Sequence, residues 1–157
     1  MAHFFFLNPK LLSGCCCQTL GVDFVVKTVK IPEADNMSVE LYLVDTSGHS
    51  IYKDMRAKYW AGTSLVMALY DITNRDSFTS LNNWLTEVKK SMPWNSQKKS
   101  TQMQGILVAT KCDQKEFAQV SNQEALALAH QHGLAFFETS AVRRDRQRRE
   151  NCSARLA

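Results

Sequence analysis

Three short apolar runs in this chain each end in a cluster of polar and small residues, and that recurrence constrains the fold more than any other feature. The first, VELYLVDTSGH (residues 39–49), delivers Asp45, Thr46, Ser47, Gly48 and His49. The second, GILVATKCD, ends in Thr110, Lys111, Cys112 and Asp113, and the third, LAFFETSA, in Glu138, Thr139, Ser140 and Ala141. Short continuous apolar runs are what parallel strands need when both faces are buried. In an open α/β sheet a ligand sits beyond the carboxyl ends of the strands, so polar tips at those ends predict a binding site there.

The segments between the runs supply the rest of the pattern. Residues 22–31 (VDFVVKTVKI) are rich in β-branched side chains and read as a strand. PEADN turns the chain, and residues 39–44 return, which predicts an antiparallel hairpin. Residues 53–59 read as a short helix and residues 65–70 (LVMALY) as another buried strand. Over residues 77–91, Phe78, Leu81, Leu85 and Val88 share one helical face, and Pro93 follows the end. Residues 94–104 form a polar loop. Ser121 and Glu124 make a capping box for a helix that stops at Gly133. Strand–helix alternation predicts an α/β fold, a mostly parallel sheet with one antiparallel hairpin and helices on both faces.

At 157 residues the chain is sized for one domain. No apolar run approaches the roughly 20 residues of a membrane-spanning helix, and the start, MAHFFFLNPKLL, lacks the basic opening of a signal peptide. Three of the five cysteines are adjacent (Cys15, Cys16, Cys17), while Cys112 and Cys152 stand alone, so neither a disulfide framework nor a zinc site is expected. The net charge of +4 lies entirely in residues 142–157, with six arginines against Asp145 and Glu150. The 13 basic and 13 acidic residues before them cancel, which argues against a nucleic-acid-binding core.

The three tips, in this order and spacing, resemble those of the small GTPases, and within them the Rab group. DTSGH resembles the DTAGQ element, TKCD the guanine-reading NKxD, and ETSA the ETSAK element; TLGVDFVVKTV, YDITNRDSF and NWL resemble further Rab segments. The hairpin IPEADNMSVELYLVDTSG and the following YKDMRAKYWAG resemble the Rab-like proteins of intraflagellar transport more than a vesicle Rab. The resemblance implies GTP or GDP with Mg²⁺ as cofactors. Asp113 would accept hydrogen bonds from guanine, Lys111 would lie along the base, and Thr110, Ser140 and Ala141 would complete the pocket. Gly48 would let the backbone approach the γ-phosphate, and Asp45 and Thr19 would serve the metal. It also implies a small β-sandwich protein partner, no prenyl anchor, and a cytoplasmic, ciliary or flagellar location.

The departures from the family are equally specific. No GxxxxGK[ST] occurs anywhere in the sequence, so no lysine is placed for the β- and γ-phosphates. Residues 3–7 could pass for a first strand, but residues 8–18 are then too few for a phosphate loop, a helix and the approach to Thr19. Residues 1–18 therefore read as a divergent leader replacing the first strand and phosphate loop, and a gap inside the sheet is expected. Residues 19–141 read as the small-GTPase core. The basic tail, residues 142–157, has no apolar stripe and is expected to be disordered, with a sheet face left bare where the family has its last helix. Both ends look like unrelated sequence joined to a family core, as a mispredicted or alternatively spliced frame would produce. His49 stands where the family has its water-orienting glutamine, and Thr110 and Val142 replace an asparagine and a lysine, so slow or absent hydrolysis is expected.

Two functions follow, a Rab-like guanine-nucleotide-binding subunit of ciliary intraflagellar transport with weak or lost nucleotide chemistry, and a nucleotide-independent interaction fragment. The charge distribution gives a test of its own. Retention on heparin should fall steeply with salt and vanish when residues 142–157 are deleted. Equal, salt-insensitive retention of both forms would place the basic surface elsewhere.

Overall fold

A computed structural model describes residues 2–7, 19–31, 37–60, 63, 65–91 and 104–142. Six strands form one sheet: β1 (Ala2–Leu7), β2 (Val22–Lys30), β3 (Ser38–Thr46), β4 (Leu65–Asp71), β5 (Gly105–Thr110) and β6 (Ala135–Glu138). Their spatial order is β2-β3-β1-β4-β5-β6. Strands β3, β1, β4, β5 and β6 run parallel, and β2 pairs antiparallel with β3 from Val22↔Thr46 to Lys30↔Ser38. The predicted sheet and hairpin are thus both present.

The gap is not. Strand β1 lies between β3 and β4, in register from Ala2↔Leu41 to Phe6↔Asp45 on one side and from Phe4↔Leu65 to Leu7↔Ala68 on the other. This corrects the reading of residues 1–18 as a leader that replaces the first strand. The physical reason is that β3 and β4 each turn a row of backbone N–H and C=O groups towards the space between them. An aromatic-rich run such as HFFFL has the strand propensity to satisfy both rows. The proposed divergent loop at residues 8–18, the polar loop at 94–103 and the tail beyond Val142 lie outside the described residues.

The core lies between the sheet and its helices. Trp60 of α1 (Lys53–Trp60), Leu81, Leu85 and Val88 of α3 (Leu81–Ser91), and Ala125, Leu128 and Ala129 of α4 (Asn122–His132) are buried with Val66, Ala68 and Tyr70 of β4 and Leu107 and Ala109 of β5. The predicted helix over 77–91 is in fact two, α2 (Arg75–Thr79) and α3. Asn74 caps α2, accepting from the Asp76 and Ser77 N–H groups, and the Ser80 hydroxyl donates back to the Asp76 and Ser77 carbonyls at 2.7 and 3.2 Å. The Ser80 N–H also donates to the Asp76 carbonyl at 3.1 Å, so the chain stays helical in hand between the two. Helix α4 opens on the predicted Ser121–Glu124 capping box and ends at Gly133, whose φ of 69° suits glycine.

Gly105 is where the packing leaves least room. A Cβ there would come within 2.2 Å of the Val66 carbonyl oxygen on the neighbouring strand. Gly105→Ala should therefore destabilise the fold by about 2 kcal/mol or more, read as a lowered urea midpoint. The control Leu126→Ala, on the exposed side of α4, should shift it by less than about 0.5 kcal/mol.

Candidate functional site

Parallel pairing places the carboxyl ends of β3, β4, β5 and β6 on one edge, and the three polar tips share it with a fourth. At the end of β3, the Thr19 hydroxyl donates to Asp45 Oδ2 at 2.9 Å. Burial pushes the Asp45 carboxyl above its ordinary range against the pull of that hydroxyl, and nearby Asp23 pushes it further. The chain beyond is fixed by Arg56 of α1. Its Nη1 donates to the carbonyls of Ser47 at 3.0 Å and His49 at 2.8 Å, and its Nη2 lies 3.5 Å from Glu87. The guanidinium stacks 4.7 Å from the Trp84 ring centre. Two carbonyls, a carboxylate and an aromatic face thus surround this buried guanidinium, while its Nε has no hydrogen-bond partner among the described residues.

At the ends of β4 and β5 the dominant contact is an ion pair. Lys111 Nζ lies 2.7 Å from Asp71 Oδ2, with the aspartate side chain 6% exposed and the lysine 43%. Burial alone would raise the Asp71 carboxyl, but the Lys111 ammonium and the Thr73 hydroxyl and N–H hold it below the ordinary carboxylate range. Lys111 adopts a left-handed φ of 59°, unusual for a residue with a side chain. The Thr110 hydroxyl donates to the Tyr70 carbonyl at 2.8 Å, fastening β5 to β4. Cys112 N–H to Thr139 and Thr139 N–H to Ala109, at 3.1 and 2.8 Å, then stitch the β5 and β6 tips together. Across that seam the Ser140 hydroxyl donates to Asp113 Oδ1.

Of the residues singled out in the sequence, Lys111, Asp113, Ser140 and Ala141 meet at the β5–β6 tips, and Thr19 pairs with Asp45 at the β3 tip. Thr110 holds β4 rather than facing the tip with its hydroxyl. His49 caps a 3-10 turn (Ser50–Tyr52), its Nδ1 accepting from the Ile51 N–H at 3.4 Å, and no hydrogen bond among the described residues joins it to Asp45 or Thr19. Gly48 has negative φ, and a Cβ there would make only ordinary contact with Trp84 at 3.6 Å. Sequence reasoning missed Asp71 and Arg56. Asp71 had a signal, an acid directly following the buried run LVMALY.

The guanine reading fits these residues. A carboxylate with a hydroxyl partner and a neighbouring lysine can exchange the serine contact for the paired N1–H and N2 donors of guanine, which adenine does not present. The metal reading fits in part. Asp45 and Thr19 offer two oxygens, and among the described residues no group of three or more His, Cys, Asp or Glu side chains could hold an ion. Mg²⁺ would need phosphate and water oxygens for most of its six positions.

The two aspartates should respond to pH in opposite senses. Asp71 is depressed in the fold, so its ionised form stabilises above the unfolded carboxylate pKa, and that contribution fades as pH falls through its lowered value. Asp45 is raised, so its ionisation costs stability once pH rises through its folded value. Thermal melts should show Asp71→Asn less stable and Asp45→Asn more stable than the parent at pH 7. Both differences should shrink at a pH of about 3. Shifts of the same sign for both variants at pH 7 would contradict this.

Comparison with known proteins agrees with the geometry. The Ras family model matches residues 13–150. The intraflagellar transport protein 27 homolog of Mus musculus is 38% identical over 127 residues, covering 81% of this chain and 64% of that protein. The Ras-related proteins Rab-13 of Canis lupus familiaris and Rab-2B of Dictyostelium discoideum are 32% and 37% identical, each over 78% of this chain and 56% of its own length. The chain thus spans about three fifths of the length of the curated relatives it matches. With its parallel sheet, its hairpin and its polar strand tips, the chain belongs to the Ras family of small GTPases.

Proposed function

We propose that this chain is a Rab-like subunit of ciliary intraflagellar transport that reads guanine through Lys111, Asp113 and Ser140 but holds phosphate weakly. The observation that carries the reading is the hydrogen bond from the Ser140 hydroxyl to the Asp113 carboxylate, two residues 27 apart in sequence, across the β5–β6 seam. Similarity to intraflagellar transport protein 27 homologs supports the transport role, a protein partner in that complex and a ciliary location; the proposed partner is a small β-sandwich protein, and the proposed location includes the cytoplasm. No helix among the described residues is long and apolar enough to cross a membrane.

Weak phosphate binding rests on the missing GxxxxGK[ST]. That loop would supply several charge-assisted hydrogen bonds of about 1.5–3 kcal/mol each, so losing two or three weakens binding by several powers of ten. Bound guanine nucleotide with Mg²⁺ would present a γ-phosphate to hydrolysis. Here Asp45 and Thr19 would steady the metal side, while His49, tied to the Ile51 N–H, is poorly placed to orient water, so turnover should be slow or absent.

A second reading, a nucleotide-independent interaction fragment, is favoured by the partners that Lys111 and Asp113 have within the chain, Asp71 and Ser140. Competition binding separates the two. The parent should prefer GTP to ATP, and Asp113→Ala should erase the preference while leaving the fold intact by circular dichroism. Absence of any preference in the parent would favour the second reading.

A further inference from the structure

Strand β2 closes the sheet on one side, and its outer edge carries no partner among the described strands. It is nine residues long and pairs one-to-one with β3 without a bulge. Phe24, Val25 and Val26 are 53%, 51% and 50% exposed, and Val29 is exposed too, so apolar side chains stand bare on both faces of the edge. Edges of this length are ordinarily blunted by proline, bulges or repeated charge. This strand has no proline, and the charges at its centre are arranged differently.

The direction of each backbone group follows from the two ends of the hairpin. Ser47 N–H donates to the Gly21 carbonyl at 2.8 Å, and Ile31 N–H to the Met37 carbonyl at 3.0 Å. Odd-numbered residues therefore bond inward to β3. Val22, Phe24, Val26, Thr28 and Lys30 turn their backbone groups outward. Among the described residues only the Phe24 N–H has a partner, its neighbour's carboxylate, Asp23 Oδ1, at 2.8 Å.

We propose that this edge pairs with the same edge of a second copy of the chain, antiparallel about a two-fold axis through Val25. Outward groups must face outward groups, so the numbers of opposed residues must sum to an even value. Among the even registers, the one summing to 50 sets Asp23 opposite Lys27 of the other copy, twice by symmetry, and Val25 opposite itself. It also pairs Phe24 with Val26, an aromatic on a β-branched residue, again twice. A register centred on Lys27 would oppose like charges. In the favoured register Asp23 and Lys27 fall at positions without backbone bonds, where opposed side chains lie closest. Asp23 leaves the Phe24 N–H for the partner lysine, and Val22, Phe24, Val26 and Thr28 form about eight backbone hydrogen bonds with their counterparts. The pairing does not depend on whether the chain binds nucleotide.

Sedimentation equilibrium of the full chain at concentrations on the order of 1–100 µM tests it, because strand addition alone buries a small interface. The parent should show a monomer–dimer equilibrium. Asp23→Lys and Lys27→Asp should each weaken dimerisation by about tenfold or more, and the double exchange should restore it. Val25→Glu, which opposes two carboxylates on the axis, should also give monomer and serves if a single reversal fails to fold by circular dichroism. A monomeric parent throughout the range overturns the proposal, even if the edge captures a strand of another protein. So does a dimer indifferent to all four variants, or a double exchange that fails to restore what the single reversals break.

Discussion

Parallel pairing through the middle of the sheet is the constraint on which the rest depends. Once β3, β1, β4, β5 and β6 run the same way, their carboxyl ends must share one edge, and whatever polar residue ends each strand is brought there together. Asp45, Asp71, Lys111, Asp113 and Ser140 belong to four separate stretches of sequence, yet the topology leaves them no other place. The apolar residues that bury the strands do the aiming, and the polar tips supply the chemistry.

How those tips are held differs between the two halves of the edge. At β4–β6 the contacts are mutual: Asp71 holds Lys111, Thr110 holds the Tyr70 carbonyl, and Ser140 holds Asp113. A base-sized ligand would meet groups already held in place, so little ordering would remain to be done on binding. The β3 half carries its carboxylate in a less favourable setting, with Asp45 half-buried beside Asp23 and relieved chiefly by Thr19. A cation beside it would relieve that carboxylate, and Arg56 steadies the neighbouring Ser47–His49 segment.

Much of this was legible in the residues themselves. Short apolar runs ending in DTSGH, ATKCD and ETSA announced both the sheet and its functional edge, because burial on two faces and a polar tip are local properties of sequence. The Ser121–Glu124 box and Gly133 were legible for the same reason. The first strand was not legible as a partner of β3 and β4, because HFFFL sits before a stretch too short for the family's usual loop. The unpaired rows on its two neighbours, which decide the matter, are a property of the assembled sheet. Asp71 was overlooked because its lysine partner lies 40 residues away, and Arg56 because charged helical residues ordinarily face solvent.

We propose that base recognition and phosphate grip have come apart in this chain. Titration calorimetry of the protein with guanosine and with GTP, both in Mg²⁺, measures the two contributions against each other. Guanosine and GTP should bind with affinities within about tenfold of each other, because the phosphates add little. Sub-micromolar GTP binding, stronger than guanosine by several powers of ten, would show an intact phosphate grip and contradict it.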